Sequence, residues 1–325
     1  MNKVSILGAG CYVPETIITN DDLSKIVDTN DEWITTRTGI KERHLSSGEG
    51  TCEMGAKAVQ AAMEKAGLDA NDIDMIICAT ITTDEFMPAT ACRIQSKIGA
   101  KNAVAFDISA ACSGLVFATT IASQFIKTGM YKNICVVGAE TLSKVTNWED
   151  RRTCVLFGDG AGALIIGQGN GSMEIVSESM ISNGDKGDIL TLDAVPFGNM
   201  LKKRPDEMPD FYMTMDGQEV FKFAVKVITE QVKKVAEGAN LSMEDIDCIV
   251  PHQANVRIIE TAAKMLKVDA DKFYVNLDKY GNTSSASVGI AMTELMQSKK
   301  LKKGDNLVMT GFGGGMSAGA ILVKV

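Results

Sequence analysis

Two short patterns occur once in each half of this 325-residue sequence. The tripeptide DID lies at 72–74 and again at 245–247, each time between an amphipathic helical stretch and an apolar strand. The glycine-rich stretch FGDGAGALIIG at 157–167 has a looser counterpart, FGGGMSAGAILV, at 312–323. Such paired matches predict a duplicated α/β architecture in which each half alternates strands with helices. We expect the boundary near 169–172, which divides the chain into halves 1–170 and 171–325.

Composition limits the class of protein further. Hydrophobic residues make up 45% of the chain and charged residues 23%, a composition typical of a soluble globular protein. The formal net charge of −8 argues against a nucleic-acid-binding protein. Eight cysteines, mostly within apolar runs and without a CxxC pair, favour a reducing compartment over a zinc ribbon or a redox dithiol. The first residues resemble a strand rather than a signal peptide, and no run is long enough to span a membrane, so we expect a cytoplasmic protein.

The segment 104–129 predicts a strand, a tight turn and a helix. Apolar residues alternate over 104–108, then follow helical spacing from Ala110 to Lys127, and Gly129 occupies the C-cap position. Cys112 lies where the strand passes into the helix, so its thiol would face the positive end of the helix dipole, which favours the nucleophilic thiolate. The alternative is a buried structural cysteine, as we expect for the other seven.

The second half offers partners for such a nucleophile. Of the two histidines, His252 directly follows the apolar strand predicted at 246–250, whereas His44 follows a charged run. Asn282 lies in the turn YGNTSSA, after a strand predicted at 273–277 and before a helix. By the duplication this turn corresponds to the turn that carries Cys112. The alternatives are a structural histidine and an ordinary Gly-Asn turn.

Two further stretches predict ligand contacts. Trp33 and Arg37 are four residues apart within the polar stretch 28–44, so a helix would place them on one face. An indole beside a guanidinium is a plausible site for a purine base and phosphates, although a solvated helix anchored by one tryptophan would show the same pattern. The long irregular stretch 183–216 is typical of a binding loop or lid.

Six motifs occur together and in order along the chain. They are DTNDEWITTRTGIKERH (28–44), DISAACSG (107–114), FGDGAGA (157–163), PHQANVRI (251–258), YGNTSSAS (280–287) and GFGGG (311–315). Together they resemble β-ketoacyl-acyl carrier protein synthase III, the condensing enzyme that starts type II fatty acid synthesis, over essentially the whole chain. The resemblance implies the thiolase fold, a duplicated five-layer α-β-α-β-α architecture with two mixed five-stranded sheets, in a homodimer.

The resemblance also implies a reaction that needs no cofactor and no metal. Cys112 would take an acyl group from an acyl-CoA primer, and malonyl-acyl carrier protein would then lose CO₂ and attack that acyl group. The implied triad is Cys112, His252 and Asn282. The backbone amides of Cys112 and Gly314 would donate to the oxyanion, and Phe312 would form an apolar wall near the malonyl carboxylate.

Substrate contacts follow from the same resemblance. The residues implied to bind CoA are Thr29, Trp33, Arg37, Arg151 and Asn255. Arg257, Lys264 and Lys222 match the docking patch for the acidic carrier protein. Met87 corresponds to the residue that closes the acyl pocket of the partner subunit, where a phenylalanine is common. Because methionine is slimmer and more adaptable, we expect branched or slightly longer primers besides acetyl.

Three alternatives remain open at this stage. An acyltransferase or ketosynthase of secondary metabolism with the same fold would keep the triad but could act without a carrier protein. A Cys-His-Asn thioester hydrolase or peptidase would use the same three side chains. A non-catalytic scaffold is disfavoured by the complete triad, and the hydrolase by the CoA-site residues.

Overall fold

The computed structural model describes residues 2–169, 172–196, 198, 200–201 and 211–325. Within these ranges the chain forms both α-helices and β-strands, with short 3₁₀ turns between them. The strands are β1 (Val4–Tyr12), β2 (Thr16–Thr19), β3 (Glu42–Leu45), β4 (Met75–Ala79), β5 (Val104–Ile108), β6 (Asn133–Glu140), β7 (Gly160–Gln168), β8 (Glu174–Ser182), β9 (Leu190–Thr191), β10 (Thr214–Met215), β11 (Cys248–Pro251), β12 (Asn306–Gly313) and β13 (Ser317–Lys324). The helices are α1 (Asn20–Leu23), α2 (Asp31–Thr38), α3 (Thr51–Ala66), α4 (Thr90–Ile98), α5 (Gly114–Thr128), α6 (Gly217–Gly238), α7 (Val256–Leu266), α8 (Leu277–Tyr280) and α9 (Ser287–Gln297).

Both halves of the chain arrange their strands in one order. The first half has the strand order β5-β4-β6-β7-β1, and the second half has the order β11-β12-β13-β8. The strands β11, β12, β13 and β8 correspond to β4, β6, β7 and β1, respectively. Directions repeat as well: β4 and β6 are parallel, as are β11 and β12, and the following pairs are antiparallel. The position of β5 is filled in the second half by an isolated parallel bridge between Ile249 and Phe273.

The expected α/β thiolase fold is therefore confirmed, with one difference in hydrogen bonding. β1 and β8 meet at the pair Ser5–Glu174, so the two half-sheets join into one sheet of nine strands. The division into 1–170 and 171–325 remains a prediction, because residues 170 and 171 lie outside the described residues.

The strand predicted at 273–277 is wrong beyond Phe273. The amide of Asn276 donates to the side-chain oxygen of Gln253 (3.0 Å) instead of to a neighbouring strand. The amide of Gly281 then bonds back to the carbonyl oxygen of Leu277 (2.9 Å), which closes the short helix α8. Polar partners thus turn the backbone away from the sheet after one bridge.

Three hydrophobic clusters define the layers. The first-half sheet packs against α3 and α4, and the second-half sheet packs against α6 and α7. α5 and α9 lie between the two half-sheets and contact strands of both. This is the five-layer order, with the N-terminal turns of α5 and α9 meeting at the centre of the molecule. No helix of the described residues has both the length and the hydrophobicity needed to cross a membrane.

Candidate active site

A cavity of about 590 Å³ opens from the centre of the molecule towards its surface. Its wall contains side chains from both halves, delivered by the ends of β5, β11 and β12. The predicted site residues that line it are Cys112, His252, Asn282, Phe312, Gly314, Trp33, Arg37 and Asn255.

Cys112 lies in a 3₁₀ turn, Ala111–Ser113, that connects β5 to α5. Ala111 has a φ of +44°, a left-handed conformation that makes the turn tight. The Cys112 side chain is 9% exposed, and burial raises the pKa of its thiol to about 12. A helix end contributes about 2 kcal/mol at most, less than the roughly 4 kcal/mol that this rise represents. Loss of hydration therefore opposes the resting thiolate that the helix position favours, and the thiolate stays a prediction.

The Cys112 turn is packed against the end of β12. A side-chain carbon added to Gly313 would lie 2.6 Å from the Cys112 amide nitrogen, so only glycine permits this approach. Neither the Cys112 amide nor the Gly314 amide has a hydrogen-bond partner in another described residue. Both amides thus lack a partner in another described residue, and their role as oxyanion donors stays a prediction.

His252 follows β11 and is buried, with 2% of its surface exposed. Its Nδ1 lies 2.6 Å from the Ser287 Oγ, which also accepts a hydrogen bond from the Gln253 amide (3.3 Å). No other acceptor for the Ser287 proton occurs among the described residues, so this hydroxyl donates to Nδ1. The ring proton is then on Nε2, which acts as a donor. Burial also lowers the pKa of His252 to about 3, so the ring is neutral.

The remaining polar group is oriented by its own turn. The Asn282 Oδ1 accepts a hydrogen bond from the Ser284 amide (2.8 Å), which leaves the Nδ2 protons free to donate. The Phe312 ring lies edge-on to His252, with 5.0 Å between ring centroids, and gives the cavity an apolar side. The arrangement brings a thiol and neutral donors together in one cavity.

Sequence reasoning missed the residues behind this wall. Ser287, Ser284 and the fully buried Glu140 fix the orientation of the catalytic candidates, and of these three only Ser284 lines the cavity itself. The serines lie inside a quoted motif, and Glu140 is a charged residue at the end of a buried strand. Of these residues, only Glu140 stands out in the sequence, as an acidic residue that ends an apolar run, and the sequence does not identify its partners.

The predicted CoA residues divide into two groups. α2 begins after Asn30, whose side chain caps the Trp33 amide, and Trp33 and Arg37 lie at the cavity, with the guanidinium carbon 4.5 Å from the ring centroid. Arg151 lies outside the lining, 5.5 Å from the Trp33 centroid. The Thr29 hydroxyl is buried and has no partner among the described residues.

Asn255 lines the cavity and also caps α7, because its Oδ1 accepts from the Arg257 amide (2.9 Å). Its Nδ2 is left to face a ligand. Arg152 also lines the cavity and pairs with Asp150 through two nitrogens. That ion pair orients the guanidinium at the cavity wall and partly neutralises its charge.

The other predicted contacts lie on the surface. Met87 is 87% exposed and does not line the cavity of its own chain. Arg257, Lys264 and Lys222 are exposed, and Lys222 pairs with Glu219 (2.6 Å). Charge on this patch is thus partly neutralised at one end.

The irregular stretch 183–216 contributes apolar side chains to the cavity. Leu190, Met213 and Met215 line it, and β9 pairs with β10 beside them. The expected binding loop is supported by these contacts. Its middle, 202–210 with 197 and 199, lies outside the described residues.

Comparisons with known proteins agree with this geometry. A family model described as 3-oxoacyl-[acyl-carrier-protein] synthase III matches residues 106–184, and the model of its C-terminal part matches 236–325. The chain is 53% identical over 328 residues to β-ketoacyl-[acyl-carrier-protein] synthase III of Clostridium kluyveri, covering 100% of each. It is 52% identical over 326 residues to the protein of that name from Clostridium acetobutylicum, covering 100% of this chain and 99% of the relative.

A solved structure extends the agreement to three dimensions. The 3-oxoacyl-[acyl-carrier-protein] synthase III of Aquifex aeolicus superposes with a TM-score of 0.93 at 44% identity, covering 99% of this chain and 100% of that one. Fold and site together define a condensing acyltransferase of the thiolase fold. The chain belongs to the β-ketoacyl-[acyl-carrier-protein] synthase III family, and it catalyses the initiating condensation of fatty acid synthesis.

The burial of His252 makes stability depend on pH. The unfolded chain binds a proton at the ordinary pKa of 6.5, whereas the folded chain does so only near 3. The folded state therefore loses stability as pH falls below 6.5, by about 2 kcal/mol at roughly pH 5. We expect the free energy of urea unfolding to fall between pH 7 and 5 by about that much more in the wild type than in His252→Asn. Equal losses in both proteins would contradict a buried neutral ring.

Proposed function

We propose that Cys112, His252 and Asn282 carry out the condensation in this chain. The observation that supports this proposal is that the two halves bring these three side chains to one cavity, with hydrogen bonds orienting His252 and Asn282. Each group has a separate task, and the tasks follow from where negative charge develops in the two steps.

In the first step the Cys112 sulfur attacks the carbonyl carbon of an acyl-CoA thioester. The new carbon–sulfur bond forms as the bond to the CoA sulfur breaks, and the thiol proton leaves with CoA. Negative charge develops on the carbonyl oxygen, for which the free amides of Cys112 and Gly314 are placed as donors. Burial strengthens those hydrogen bonds because no water competes with them.

In the second step malonyl-acyl carrier protein loses CO₂, and its thioester oxygen becomes enolate-like. The Nε2 proton of His252 and the Nδ2 protons of Asn282 stabilise that oxygen. The apolar Phe312 ring favours departure of the carboxylate as neutral CO₂. The carbanion attacks the acyl carbon on Cys112, the carbon–sulfur bond breaks, and a proton taken up overall restores the thiol. No cofactor takes part in this scheme.

We infer that the CoA adenine stacks between Trp33 and Arg151 once Arg151 has moved outward. Two stacking contacts of about 3.5 Å each need roughly 7 Å, whereas the ring and guanidinium are 5.5 Å apart. Arg151 is held by Asp28 through the carbonyl oxygen (2.8 Å) and the carboxylate (3.2 Å), so binding would displace it outward. Arg37 would contact the phosphates and Asn255 the pantetheine. Thr29 would be a further CoA-binding residue.

The carrier protein docks on Arg257, Lys264 and Lys222, a basic patch on an otherwise acidic chain. Arg257 and Lys264 are seven residues apart on α7, whose start at Asn255 borders the cavity. We also infer a homodimer in which Met87 closes the partner's acyl pocket, since its exposure on the single chain is otherwise unexplained. Eight free cysteines support the reducing cytoplasm as the compartment.

The nucleophile is tested by intact-protein mass after brief exposure to acetyl-, isobutyryl- and hexanoyl-CoA. We expect a single acyl adduct in the wild type and none in Cys112→Ser, because only this sulfur lies beside the free amides. Cys92→Ser, at a half-buried cysteine outside the cavity, is the matched control and retains the adduct. Release of free acid without a stable adduct would favour the hydrolase, and no loading by any CoA ester would refute the proposal.

Primer selectivity is tested at Met87. A rigid phenylalanine would shorten the acyl pocket, so we expect Met87→Phe to lower isobutyryl loading relative to acetyl loading about 10-fold. Met130→Phe, at another exposed methionine, is the control and should leave the ratio unchanged. An unchanged ratio in Met87→Phe would separate this residue from the acyl pocket without affecting the triad.

A further inference from the structure

Glu140 ends β6 directly behind the catalytic turns and has no exposed surface. It forms no ion pair with any lysine, arginine or histidine of the described residues. Its partners are instead polar groups of both halves. A carboxylate in such a place is disfavoured, because its charge is removed from water without a counter-ion.

The hydrogen atoms around its two oxygens can be assigned. Oε2 receives three donors, which are the hydroxyls of Thr80 (3.1 Å) and Thr82 (2.6 Å) and the Ile81 amide (3.1 Å). All three have a proton available for this purpose, so Oε2 is the carbonyl-like acceptor of the group.

Oε1 is different. The Ser285 hydroxyl lies 2.9 Å from it and 2.8 Å from the carbonyl oxygen of Ala79. A carbonyl oxygen only accepts, so the single proton of Ser285 goes to Ala79. The short contact with Glu140 then needs a proton from the carboxyl group itself. The more distant Ser284 hydroxyl (3.2 Å) can still donate to the other lone pair of Oε1.

We propose that Glu140 is held as a neutral carboxylic acid, with its proton on Oε1, and that in this state it is a positioning residue for the condensation. Burial raises its pKa, which agrees with the assignment. The titratable groups that face it are the thiols of Cys112 and Cys78, and a charge on Glu140 would raise the pKa of both.

The neutral acid connects the end of its own strand, β6, to two other backbone segments where the halves meet. It holds the loop after β4 through Thr80 to Thr82, and the turn before α9 through Ser284 and Ser285. That turn, Ser284–Ala286, is the second-half counterpart of Ala111–Ser113, and each contains a left-handed residue that is not glycine. By this correspondence Ser285 occupies the place of Cys112, and the Ser284 amide orients Asn282.

The neutral state matters for the chemistry, and this part rests on the proposed function. Both steps build negative charge within the cavity, first on the thioester oxygen and then on the enolate. A second negative charge directly behind Cys112 would oppose each transition state by Coulomb repulsion in a medium of low dielectric. A protonated acid gives the same mechanical connection without that repulsion.

The decisive variant is Glu140→Gln, which copies a neutral acid. In this variant the amide oxygen would accept from Thr80, Ile81 and Thr82, and the NH₂ group would donate to Ser285. We expect it to retain the rate of Cys112 acylation, whereas Glu140→Ala leaves buried donors unpaired and loses about 10- to 100-fold. The KM for acyl-CoA should stay unchanged in both, because Glu140 lies outside the cavity lining. A loss in Glu140→Gln as large as in Glu140→Ala, or no loss in Glu140→Ala, would overturn the positioning role.

The protonation state is read separately by infrared difference spectroscopy. At neutral pH the spectrum of the wild type minus Glu140→Gln should contain the carbonyl stretch of a protonated carboxylic acid. A carboxylate band in its place would overturn the proposal. Asp245→Asn is the control for a carboxylate band, because Asp245 is exposed and hydrogen bonds from Ser242 lower its pKa. This readout needs no turnover, so failure of the catalytic proposal leaves it interpretable.

Discussion

Loss of hydration at the junction of the two halves is the constraint on which the rest of the site depends. The thiol, the imidazole and the carboxyl group there are all buried, and burial moves each towards its neutral form. A catalytic centre in which these three groups carry no resting charge gives its full electrostatic effect to charge that appears during reaction. The donors aimed at that charge are backbone amides and neutral side chains, which need no counter-ion.

The duplicated fold provides this burial. α5 and α9 are enclosed between the half-sheets, so the turns at their N-termini meet away from the surface. Close backbone approach is needed there: a side-chain carbon on Gly138 would lie 2.2 Å from the Ser285 carbonyl oxygen. A small shift between the halves would therefore disturb Cys112, Asn282 and Glu140 together, which couples the packing of the core to the geometry of the site.

The sequence predicted the parts of the site that are local and left out those that depend on distant contacts. Cys112 and His252 could be singled out because each follows an apolar strand. The tautomer of His252 depends on Ser287, 35 residues away, and the partners of Glu140 are up to 145 residues away. The ionisation of Cys112 was predicted from helix position alone, because that position is visible in a sequence, whereas the depth of burial that opposes a thiolate is not.

The most direct test of the account is the ionisation of Cys112 in the free enzyme. The rate of its alkylation by iodoacetamide is followed against pH, with the labelled peptide quantified by mass and Cys112→Ser as the blank. A buried neutral thiol predicts a rate that still rises beyond the ordinary pKa of 9, without an earlier plateau. A plateau reached below about pH 7.5 would show that Cys112 rests as a thiolate stabilised by the helix end. That result would contradict the account of a catalytic centre whose buried groups are neutral.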